Sequence, residues 1–240
     1  MSLATLKQKV GQLIDKVAYE LKALECTTNA NGLFKNAKTF TTKAVVNLPN
    51  ATTVYQAFSY WNTEPIPIVE ELTVNAPKIL VENNQACMGQ MFTFNNGVKK
   101  VILNMPAECK YMEATFSQAK KIEVIVLNFS TKNIINYNNT FHGSTVKRII
   151  GVLDFSSTTS ATNIFSLCNH LEEVTFEPNT LSISMSLANC IKLTSGSIQS
   201  IIDGLATVET AQTLTLHADV KAKLTESQIA QITSKNWNLA

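Results

Sequence analysis

The chain has 240 residues, 45% of them hydrophobic and 16% charged, with a formal net charge of +2. That length and apolar share fit one large domain with small appendages and a packed core. Gly and Pro number only 8 and 6 and no bulk positive field exists, so a collagen, a disordered tail and a basic nucleic-acid binder are excluded.

At the N-terminal end, Leu3, Leu6, Val10, Leu13 and Val17 recur at alternating spacings of 3 and 4, followed by Leu21 and Leu24. This is a heptad seam, and it predicts a helix over residues 1–26. Two roles remain open for it: a coiled-coil stalk that makes a homo-oligomer, or an amphipathic cap on the adjoining domain. Lys7, Lys9, Asp15 and Lys16 interrupt the apolar residues, so the segment does not read as a signal peptide. Synthesis in the cytoplasm is expected, with a virion or cell surface open as a destination. No stretch reads as a membrane span. Residues 27–32 read as a polar linker.

From there a six-residue frame, apolar-x-x-apolar-x-apolar, returns along the chain. It runs Val69 to Val74, Val98 to Leu103, Ile122 to Leu127, Val146 to Gly151 and Leu171 to Phe176, with starts 29, 24, 24 and 25 residues apart. Val46 and Leu48 form a partial earlier copy, and Thr39 to Thr42 begin the earliest turn. A second marker, Phe58, Phe92, Phe116, Phe141, Phe165 and Leu187, precedes or separates the frames at spacings of 34, 24, 25, 24 and 22. The wider first gap implies an insertion within Tyr60 to Pro67. Two markers that keep one period predict a β-solenoid-like leucine-rich repeat over residues 33–193: a parallel sheet of about 5–6 coils, with the aromatic marker filling the interior on the return side. Gly151 takes the third apolar position of its frame in this reading.

The segment Phe165-Ser-Leu-Cys168-Asn-His-Leu171 carries a pattern of aromatic, small residue or Cys, then the apolar frame. Leu187-Ala-Asn-Cys190-Ile-Lys-Leu193 repeats it with Leu for the aromatic, and Phe116 to Ala119 and Phe141 to Ser144 repeat it with Ala and Ser for Cys. Over about residues 46–193 the chain resembles the BspA-type leucine-rich-repeat proteins of bacteria and their phages. That resemblance implies the repeat fold and a binding role in adhesion or in a phage- or surface-associated assembly, and it is almost silent about activity.

Past Leu193 the period is read as lost, and a small α/β cap is expected over residues 194–240. Ser197 to Leu205 reads as a helix with Ile198, Ile201, Ile202 and Leu205 on one face. Thr213 to Leu216 alternates like a strand, and Thr225-Glu-Ser-Gln228 is a capping box that opens a helix with Ile229 and Ile232.

The chemistry-bearing residues point away from catalysis. Second frame positions alternate in sign: Glu70, Lys99, Glu123, Lys147, Glu172. Stacked in parallel, they form a ladder of opposite charges, worth little per pair but consistent with the register. A glycan-cleaving pair made of Glu70 and Glu123 is the distant alternative, since each would sit beside a lysine rather than in the burial or like-charge setting that a general acid needs. His142, His170 and His217 read as surface residues, and no metal or cofactor is expected. Five cysteines without a C-x-x-C pair argue against a disulfide framework, and Cys168 and Cys190 are expected as buried thiols. The three sequons at Asn50, Asn128 and Asn138 read as chance.

Two candidate partner surfaces remain. The fifth frame positions Ile102, Val126 and Ile150 should form an exposed apolar stripe on the sheet. Tyr55, Tyr60 and Trp61 form an aromatic cluster near the insertion. The expected function is presentation of a repeat surface to a protein or glycan, with an intracellular interaction scaffold as the alternative.

Overall fold

A computed structural model describes residues 32–33, 43–60, 69–79 and 87–240. The heptad positions Leu3 to Leu24, Trp61 and Thr39 to Thr42 lie outside the described residues. Among the described residues, six strands form one parallel sheet in sequence order. They are β1 (Lys43–Asn47), β2 (Val69–Asn75), β3 (Val98–Asn104), β4 (Val124–Leu127), β5 (Arg148–Leu153) and β6 (Glu173–Phe176). The sheet is open and does not close into a barrel, an arrangement compatible with a solenoid-like α/β fold.

The register follows the apolar frame. Leu72 lies beside Val101, Val101 beside Ile125 and Ile125 beside Ile149. Side chains alternate across a strand, so this column and the next, Val74, Leu103 and Leu127, both point inward, and all are buried. The expected position of Gly151 is corrected here. Pairing slips between Arg148 and Val152, so β5 carries a bulge and Leu153, not Gly151, takes the inward place beside Phe176. Gly151 has φ +116°, and a Cβ there would lie 2.8 Å from the Leu127 carbonyl oxygen, so the bulge needs a residue without a side chain.

On the return side, the buried rings stack: Phe58 on Phe92, Phe92 on Phe116, Phe116 on Phe141 and Phe141 on Phe165, with centroids 5.1–5.7 Å apart. Large rings at one interior position bury much apolar area and gain further from offset contact. Backbone bonds link successive return segments: Phe58 N–H donates to Met91 O and Phe92 N–H to Thr115 O.

The period does not lapse at Leu193. Leu181 bridges Leu205 in parallel, and β7 (Met185–Leu187), β8 (Gln212–Leu216) and β9 (Trp237–Leu239) form a second parallel sheet. Met185 pairs with Leu214 and Leu214 with Leu239, so chain-to-chain offsets of the earlier size continue. The second sheet begins at Met185, inside the stretch assigned to the repeat. What changes is the element on the first side. Helix α1 (Ser195–Gly204) packs on β6 where a strand would follow, and α3 (Glu226–Ser234) packs on α1; α2 (Ala218–Lys221) is one short turn between them. Thr194 caps α1, and the Thr225–Gln228 capping box opens α3. Ile198, Ile201, Ile202 and Ile232 are buried, whereas Ile229 is exposed.

Candidate functional site

The outward face of the six-stranded sheet carries three columns, because residues two apart on a strand share a face. The first is Lys43, Glu71, Lys100, Val124, Arg148 and Glu173. The second is Val45, Thr73, Ile102, Val126 and Ile150. The third is Asn47, Asn75, Asn104 and Asn128.

The middle column is apolar and open. Val45 is 60% exposed and Ile150 is 42% exposed, with Ile102 and Val126 half-buried between them. Val152, displaced by the bulge, adds a further exposed aliphatic. All but Thr73 are β-branched aliphatics, which suit the pleated surface but here meet water.

Ion pairs frame this stripe on one side. Lys100 Nζ lies 2.7 Å from Glu71 Oε2, and Arg148 Nε lies 2.8 Å from Glu173 Oε2. One position further out, Lys99 pairs with Glu70 at 2.8 Å and Lys147 with Glu123 at 3.0 Å. The Lys100 ammonium holds the Glu71 carboxyl below its usual range, and the bond to Glu70 raises Lys99. The expected continuous charge ladder is thus two discrete pairs, and Glu172 joins no ion pair among the described residues.

Asparagines frame the other side. Asn75 Nδ2 donates to Asn47 Oδ1 (2.6 Å), Asn104 Nδ2 to Asn75 Oδ1 (2.5 Å) and Asn128 Nδ2 to Asn104 Oδ1 (3.0 Å). Such a ladder uses one N–H and one lone pair of each inner amide, Asn75 and Asn104, and leaves the others for further partners. The signal was present in the sequence, since Asn follows each outward β-branched residue by two positions through Asn128.

The aromatic cluster is placed on the opposite, return side. Tyr60 is 41% exposed and stacks on Phe94, itself 44% exposed, with centroids 5.3 Å apart and planes 28° apart. Tyr55 is half-buried, and its hydroxyl accepts from Gln56 Nε2 (3.2 Å). Phe94 was not anticipated; its place two residues past the Phe92 marker, like Tyr60 past Phe58, is what pairs them. The structure therefore does not bring Tyr55 and Tyr60 to the stripe of Ile102, Val126 and Ile150.

A depression of about 440 Å³ opens beside the bulge, between the Arg148–Glu173 pair and the start of α1 at Thr194, Gly196 and Ser197. Ile149, Ile150 and Val174 line it together with hydroxyl-bearing residues and that single ion pair. Among the described residues, no group of three or more His, Cys, Asp or Glu could hold a metal ion. No described helix is long and apolar enough to cross a membrane.

Cysteine pairing departs from expectation. Cys87 is joined to Cys109, with S–S 2.06 Å and Cα–Cα 6.1 Å. The two sit on successive turns of the chain, and a count of cysteines alone carries no information on such neighbours. Cys168 and Cys190 are free and buried, as expected. Burial pushes the Cys168 thiol up to about 11 and raises Cys190 as well, so neither is a ready nucleophile. His142 is also corrected: its Nδ1 is buried with no hydrogen-bond partner, not turned to solvent as a surface histidine would be.

Compared with protein-family models, curated proteins and solved structures, the chain matches none.

Proposed function

We propose that the chain is a non-enzymatic interaction module: a stack of BspA-like leucine-rich repeats that offers its outer sheet face to a protein or glycan partner. The observation that carries this reading is the row from Val45 to Ile150, aliphatic except at Thr73, open to water and framed by ion pairs and amides. A row of exposed aliphatics with a polar border has the anatomy of a docking patch. The repeat assignment draws on the buried column of Leu72, Val101, Ile125 and Ile149 and on the stacked phenylalanines. Against the glycan-cleaving alternative, Glu70 and Glu123 each accept a hydrogen bond from a lysine, whereas a general acid must keep a proton to donate.

The test is a screen of immobilised protein against arrays of glycans and proteins, run with wild type and with Ile102→Asp, Val126→Asp together. A ligand of this face should bind the double variant about tenfold or more weakly, because two charges would be buried in an apolar contact. A ligand held equally by both would move the function off the sheet. A second reading is favoured by the Tyr60–Phe94 stack, since paired exposed rings form a platform for sugar faces. Glycan binding lost in Phe94→Ala, and kept in the sheet variant, would select it.

A further inference from the structure

The charges on the sheet face pair within one copy, and the same alternation leaves the face complementary to itself when the order of the rungs is reversed. Numbering rungs by strand, reversal of the order from β1 to β6 sets four charges of the face on their opposites, with Lys100 and Glu172 outside the rule. Glu71 on the second rung corresponds to Arg148 on the fifth, and Lys43 on the first to Glu173 on the sixth. The outer column obeys the same rule. Glu70 corresponds to Lys147, and Lys99 to Glu123, whose rungs are fixed by the bonds from Glu123 N–H to Lys99 O and from Lys147 N–H to Glu123 O. Lys100 meets neutral Val124. At the two central rungs the uncharged columns match as well, Ile102 with Val126 and Asn104 with Asn128, whereas Thr73 on the second rung meets Ile150 on the fifth.

Resting on the reading of this face as a docking surface, we infer that its occupant is a second copy of the same chain, packed face to face about a two-fold axis parallel to the strands and lying between β3 and β4. That axis reverses the rung order and keeps the strand direction, so each column meets itself backwards, as an isologous contact requires. Lys43–Glu71 of one copy then meets Glu173–Arg148 of the other, and Glu70–Lys99 meets Lys147–Glu123. These are four-charge clusters in which no like charges are apposed. The amides of Asn104 and Asn128 meet with a donor and an acceptor each to spare. A two-fold axis along the stack would instead lay the charged column on the asparagines and leave the complementarity unused. The face spans about 24 Å across the strands and about 20 Å along them, at 4.8 Å per strand and 3.3 Å per residue. That footprint lies at the low end of specific interfaces, so the dimer should be concentration-dependent.

Sedimentation of the full chain tests this with a charge swap. Wild type should show a monomer–dimer equilibrium weakened by added salt. Glu71→Arg places two arginines opposite each other, and Arg148→Glu places two glutamates opposite each other. Each variant alone should dimerise about tenfold or more weakly. An equimolar mixture of the two variants restores both opposite-charge contacts, so it should recover wild-type association as a one-to-one heterodimer. Circular dichroism of each single variant verifies that it is folded. A wild type that stays monomeric at the highest soluble concentration overturns the inference, as does a dimer insensitive to either change, or a mixture of folded variants that does not associate. A monomeric wild type that still loses an arrayed ligand through Ile102→Asp and Val126→Asp would remove self-association alone and leave the docking face in place.

Discussion

Each return segment holds two residues in the left-handed region, two positions before and two after its buried phenylalanine. The pairs are Gln56 and Tyr60, Gln90 and Phe94, Ala114 and Gln118, Asn139 and Gly143, and Asn163 and Leu167. Most are not glycine, and a side chain there costs about 1–2 kcal/mol. The conformation persists because it aims backbone groups at the next turn: Gln56 N–H donates to Gly89 O and Tyr60 N–H to Thr93 O. Ala114, with φ 51°, gains no side-chain bond in return. Ala114→Gly should therefore be neutral or stabilising by up to about 1 kcal/mol, the relief of strain being offset in part by glycine's larger unfolded entropy. Gly151→Ala should go the other way, losing about 1–3 kcal/mol, because its φ is positive and its Cβ would press on the Leu127 carbonyl. Urea denaturation of both measures the contrast; a Gly151→Ala protein as stable as wild type would show that β5 has no such bulge. The frame around Gly151 was readable in the sequence as a repeat, but its bulge was not. A glycine in an apolar slot looks the same whether the strand runs straight or inserts two residues.

An open parallel sheet has an edge that must be satisfied, and the edge at β6 is met by α1. Val174 N–H donates to Ser197 Oγ (3.0 Å), Phe176 N–H donates to Ser200 Oγ (3.0 Å), and Ser197 Oγ–H reaches the Glu172 carbonyl (3.1 Å). Hydroxyls on a helix thus replace the carbonyls that a seventh strand would have brought, which blunts the edge. Ser197 is buried, so Ser197→Ala should strand the Val174 N–H and cost about 1–3 kcal/mol. Faster amide exchange at Val174, with little change at Ile125, would register the loss; unchanged exchange at Val174 would count against the serine's role. The sequence marked α1 by Ile198, Ile201 and Ile202 and marked α3 by its capping box. It did not mark what α1 does for β6, because a serine that replaces a backbone carbonyl has no periodic signature of its own. The continuation of parallel pairing through β7, β8 and β9 escaped for a related reason: once helices take the strand side, the apolar frame vanishes while the stacking goes on.

Across the whole molecule, one register serves the core column, the ring stack, the ion pairs and the asparagine ladder. The core and rings were legible because burial demands one residue type at a fixed interval. The asparagines were equally periodic, yet polar residues carry no such demand and pass for ordinary surface. Two successive turns are also tied by Cys87–Cys109, 22 residues apart. In the chain-entropy account a loop of that size stabilises by about 3 kcal/mol, so replacing both cysteines with serine should lower unfolding free energy by about that much. The same tie has a mechanical side. Because each turn of the chain rests mainly on its neighbours, a molecule pulled by its ends should come apart serially, each turn releasing about 80–100 Å of contour at 3.3–3.6 Å per residue. The bridged turn alone should come up about 70 Å short at that same rise, and the missing length should appear when a reductant is added. Under load the disulfide is therefore a stop, set between the turns that follow β2 and β3.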